Sequence, residues 1–196
     1  MRFSADTLND NRIVLLLADS RKLKQTNTAV ISELTRNGYN VLIVSVTLPN
    51  IVVRRTYEAA EIDLAKIYVV DAVTRYSDGP TVPNDPHCKY ISNPGNLTDI
   101  GIAITEWIKP LPGEKKCLFV DDISTMLLYS PSITISKFIH FITNKLRLFD
   151  VAGVFLAVEK GLDPALFSQI STFTDLIQTI EDDEKQKALK ENLSAD

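Results

Sequence analysis

Short apolar runs alternate with stretches of helical periodicity along this chain. RIVLLLA (12–18) is continuously apolar, as a strand covered on both faces requires. Residues 23–36 read as a polar helix, and Asn37-Gly38 supplies its stop. NVLIVSV (40–46) predicts a second strand. Pro49-Asn50 then opens a helix through Val53, Tyr57 and Ala60, with Arg54, Arg55 and Glu58 facing outward, and KIYVVDA (66–72) predicts a third strand.

Residues 73–89 form the longest irregular stretch, rich in Pro, Asp and Gly; a loop of that length is usually functional or mobile. CKYIS predicts a short strand, and NPGNLTDIGIAITEWI turns into a helix with Asn96 or Thr98 near its start. The next strand is 116–121. Ser130-Pro131 reads as a cap and first-position pair for a helix whose apolar residues Ile135, Phe138, Ile139, Ile142, Leu146 and Phe149 keep helical spacing. VAGVFLAVE (151–159) is a strand, DPALFSQISTF a short helix and DLIQTIE a final strand. From Asp182 onward the chain is charged with little apolar periodicity, the pattern of a frayed or disordered tail.

Strands alternating with helices over one continuous chain predict a three-layer α/β/α fold, with a mostly parallel sheet and right-handed crossovers. Residues 1–181 are expected to form one domain, followed by the tail at 182–196. Composition agrees: 196 residues, 45% hydrophobic and 23% charged, suit one soluble domain with a sizeable core. The net charge of -4 and pI near 5.3 disfavour a dedicated nucleic-acid binder, although Arg54, Arg55 and Lys66 could form a local basic patch. MRFSADTLND lacks the apolar core of a signal peptide, and no run approaches the ~20 residues of a membrane span, so no membrane association and a cytoplasmic location are expected.

Candidate chemistry concentrates at KKCLFVDDISTMLLYSP (115–131), where Asp121 and Asp122 arrive together at a strand end. Such oxygens suit magnesium, but without phosphates to complete its shell capping of the following segment is the favoured reading. NPGNLTD offers the backbone N–H groups of any helix start. Cys88 and Cys117 cannot frame a disulfide scaffold, and Cys117 falls in an apolar strand where a reduced, buried thiol is expected. His87-Cys88 near Asp85 is too small a set for zinc, and adjacent loop residues make a poor nucleophilic pair. No metal site is expected. Ser124-Thr125 is a turn-forming dipeptide, and Arg54-Arg55 either meets an acidic partner or is a solvated face.

The tracts FVDDISTMLLYSP (119–131) and FIHFITNKLRLFDVAGVFLAVEKGLDPALFSQISTFTDLIQTI (138–180), with NPGNLTDIGIAI, resemble the RecA superfamily, nearest its archaeal KaiC-like branch. The resemblance runs over 12–180. It implies a RecA-like architecture in which Asp121 or Asp122 matches the Walker B acid that orients a magnesium-bound water. The phosphate loop G-x-x-x-x-G-K-[ST] finds no match: the first strand runs into ADSRKLKQTNTAV, with no glycine between Arg12 and Asn37. Lys22 or Lys24 followed by Thr26 mimics its ending in composition only. The glutamate pair that activates water in KaiC-like ATPases would lie just past the second strand, where this chain reads VSVTLPN.

The resemblance and its gaps therefore lead to the expectation of a non-catalytic KaiC-like domain, without cofactor, acting by binding protein partners or by self-association. The alternative is a nucleotide-binding protein or weak ATPase with an altered phosphate site near Lys22–Thr26 and Asp121 or Asp122. A nucleic-acid accessory role is the third reading.

Overall fold

The computed structural model describes residues 3–180, so the charged segment 182–196 lies outside the described residues. Seven strands form one sheet: β1 (Ile13–Ala18), β2 (Asn40–Ser45), β3 (Ile67–Asp71), β4 (Cys88–Tyr90), β5 (Lys116–Val120), β6 (Ala152–Val158) and β7 (Leu176–Ile180). Their order is β4-β3-β2-β5-β6-β1-β7, and every pairing is parallel. The helices are α1 (Leu23–Arg36), α2 (Asn50–Ala59), α3 (Thr74–Asp78), α4 (Leu97–Ile108), α5 (Ile123–Met126), α6 (Ser132–Leu148) and α7 (Pro164–Phe173).

The continuous apolar strands are buried on both faces because side chains alternate across the sheet. In β1, Ile13, Leu15 and Leu17 enter one core with α4, α6 and α7, while Val14, Leu16 and Ala18 enter the other with α1 and α2. The long helices turn their apolar stripes inward: Val30, Ile31 and Leu34 from α1, Ile135, Ile139 and Ile142 from α6. α1 ends where Gly38 takes φ +86 and the Tyr39 N–H reaches back to the Leu34 carbonyl. Phe3, with Ala5 and Leu8 of the N-terminal 3₁₀ stretch (Ala5–Asn11) that has no periodic signature in the sequence, closes the α1–α2 side.

Several local expectations shift. Residues 73–89 open with the short helix α3 rather than running irregular throughout. α6 starts at Ser132 with Pro131 before it and no side-chain cap, so Ser130 does not cap it. α5 follows β5 directly, where no helix is expected from periodicity. Arg54 is not outward: its Nε donates to Asp85 at 2.9 Å, and the pair is about four-fifths shielded from solvent.

Chain topology fixes one crevice. β2 and β5 are neighbours, but from β2 the chain leaves toward β3 through α2, and from β5 it leaves toward β6 through α5 and α6. Connections that part to opposite faces leave an opening beyond the carboxyl ends of those two strands.

Candidate functional site

Asp121 occupies that crevice. It follows β5 immediately, is buried, and collects donors from the end of β2: Ser45 Oγ at 3.1 Å, Val46 N at 3.0 Å, Thr47 N at 3.3 Å and Thr47 Oγ1 at 2.5 Å. One carboxylate oxygen accepts only from Val46; the other accepts the remaining three bonds. Burial pushes the acid up to about 6, against the pull of the Thr47, Val46 and Ser45 bonds, so it remains charged at neutral pH. No ion pair among the described residues involves it.

Asp122 points elsewhere. It caps α5, accepting from Ser124 N at 2.9 Å and Thr125 Oγ1 at 2.6 Å. The two adjacent acids thus serve different elements. Ser124 Oγ in turn accepts the Val158 N–H, tying the α5 turn to the end of β6.

Between β1 and α1 the chain makes a short turn, Asp19–Lys22. The Asp19 carboxylate accepts the Arg21 N–H, and the Lys22 N–H bonds to the Asp19 carbonyl, closing a 3₁₀ turn. Lys22 precedes α1, Lys24 is exposed and Thr26 is buried.

Beside this turn, α1 and α2 leave a cavity of about 290 Å³ over β2. Leu23, Ile43, Leu48 and Val53 give it apolar walls, Asp121 and Thr47 line its inner end, and Lys24 stands among its exposed residues. Tyr57, also lining it, donates to Asn27 Oδ1 at 2.7 Å. Sequence reasoning missed Asn27, Ser45, Thr47 and Tyr57. No local pattern marks them, because the fold brings them to Asp121 from 64 or more positions away.

A second carboxylate cluster lies at the ends of β3 and β4. Asp71 accepts from the backbone N–H groups of Asn50, Val73 and Thr74, joining β3 to the starts of α2 and α3. Asp85 accepts from Arg54, Asn50 and the His87 N–H, and those bonds hold it below the ordinary carboxylate range despite the opposing effect of desolvation.

The other candidates part company. Cys88 is buried in β4 with its thiol pushed up to about 12 by desolvation, while the His87 ring stacks on Tyr68 at 4.6 Å. Cys117 is buried in β5, and burial raises its thiol as well. His140 lies on the exposed side of α6 against Phe173. In NPGNLTD, Asn96 caps α4 through the Asp99 N–H. Among the described residues, no group of three or more His, Cys, Asp or Glu side chains is arranged to hold a metal ion. No described helix is long and apolar enough to cross a membrane.

Among curated proteins none matches this sequence. Solved structures do. The uncharacterized protein PH0321 from Pyrococcus horikoshii, determined in complex with an unknown peptide, superposes with a TM-score of 0.68 at 11% identity over 87% of this chain and 78% of its own. The flagellar accessory protein FlaH from Methanocaldococcus jannaschii gives 0.58 at 13% identity over 88% and 72%. At such identities the likeness establishes the RecA-like fold. Over residues 14–180 the sequence matches one family model, and the chain belongs to that family of unknown function, DUF7504.

Proposed function

We propose that this chain is a non-catalytic, KaiC-like member of the RecA-like proteins that acts by binding other proteins in a regulatory role. The observation that carries this reading is the state of Asp121. In place of a phosphate-bound ion, the chain itself engages this acid, which accepts four bonds from the β2 end and is held against that strand. Val46, Thr47 and Leu48 occupy the region where the KaiC-like resemblance implies a water-activating glutamate pair, and none of them is an acid. The Asp19–Lys22 turn supports the same reading, because a loop that wraps phosphates needs glycines for its backbone conformations, and this turn has none. Without such a loop these residues do not fit a magnesium–triphosphate group.

The partner half rests on analogy: PH0321 was solved with a peptide, and FlaH is an accessory protein. A second reading, an altered nucleotide pocket, has the cavity beside α1 and the nearby Lys24 in its favour. That cavity is just below the usual ligand-pocket range, and the carboxylate lining it repels phosphate.

Phosphate release from ATP and magnesium by the purified chain tests the proposal. Release should equal that of Asp121→Asn. Turnover that the substitution abolishes would overturn it.

A further inference from the structure

The cavity between α1 and α2 combines apolar walls with a buried acid. Its walls at Leu23, Ile43, Leu48 and Val53 are apolar, and its lining includes a buried carboxylate with no ionic partner among the described residues. A charge placed so is stabilised by hydrogen bonds alone, and a cation brought to it gains the Coulomb energy that the protein itself leaves unused. The oxygen that accepts only from Val46 keeps capacity for a further donor.

We propose that this cavity is a binding site for a small primary amine with an apolar body, its ammonium set against Asp121. The ammonium carries three donors and no acceptor, matching the carboxylate and the Tyr57 oxygen, whose own proton is committed to Asn27. The apolar body displaces water from the four aliphatic walls. A space of 290 Å³, close to the lower end of small-ligand sites, suits a ligand about the size of an arylethylamine. Anions are disfavoured by the same carboxylate. Lys24, the lining cation, is solvent-exposed, where its repulsion of an incoming ammonium is screened.

The test is calorimetric titration of the full chain with phenethylamine, 2-phenylethanol and phenylacetate, three probes of matched shape and different charge. The amine should bind saturably, the alcohol at least tenfold more weakly, and the acid not at all. Asp121→Asn should weaken the amine at least tenfold and the alcohol by much less. Thr56→Phe, which adds bulk to the cavity lining without altering the carboxylate, should weaken both, and it serves if the first variant misfolds. Failure of the amine to bind, equal binding of amine and alcohol, or amine binding indifferent to both substitutions would each overturn the assignment. Magnesium chloride that competes with the amine at equal concentration would overturn it too, since an inorganic cation would then be the better fit.

Discussion

At Asp121, burial and hydrogen bonding pull in opposite directions, and burial prevails. The folded chain holds this proton more tightly than the unfolded chain, with the acid moved from 3.8 to about 6. Its contribution to stability is therefore fully present below pH 3.8 and is lost as pH rises through about 6. That movement corresponds to roughly 3 kcal/mol at a buried group. Relative to wild type, Asp121→Asn should gain about that much between pH 3.5 and 7 in urea unfolding, and a flat difference would contradict the assignment. Gly161 makes a purely steric case. A Cβ there would lie 2.8 Å from Val158 Cβ and 2.9 Å from Ser124 Oγ, so Gly161→Ala should destabilise by about 1–3 kcal/mol in the same assay. The sequence displays the acid at a strand end, yet Asp121's donors lie 74–76 positions upstream, and no local pattern encodes contacts that distant.

At the scale of elements, α5 depends on Asp122. Asp122→Ala removes the bonds from Ser124 N and Thr125 Oγ1 and should cost about 1 kcal/mol. In a chain of this size that lowers the melting midpoint by about 2–4 °C. The loss should appear in EDTA-treated buffer without nucleotide; a midpoint that falls only when magnesium is present would mark a metal ligand instead of a cap. The loop before β4 is pinned by Asp85 to Asn50 and Arg54 of α2. Asp85→Ala should speed hydrogen exchange across residues 79–87, with β1 and β6 unchanged. Long elements were legible: RIVLLLA, the 23–36 helix and the 135–146 stripe carry the periodicities that burial on two faces or one stripe imposes. α3 and α5 were not, because a helix of one turn repeats nothing and is held by capping and tertiary contacts. Arg54 read as solvent-facing because its partner Asp85 lies 31 positions away, in the stretch read as loop.

For the whole molecule, the alternation of strands and helices was enough to indicate an α/β sheet with both faces covered. The order β4-β3-β2-β5-β6-β1-β7 was not readable from periodicity, and with it stayed hidden the crevice between β2 and β5 that gathers Ser45, Thr47 and Asp121. The cavity between α1 and α2 was likewise invisible, since empty space is a property of packing and not of pattern. The proposed non-catalytic role rests on that assembled geometry. Calorimetric titration of the wild-type chain with ATP and excess magnesium tests it most directly. The predicted result is no saturable binding up to millimolar nucleotide; micromolar binding that disappears in Asp121→Asn would contradict it.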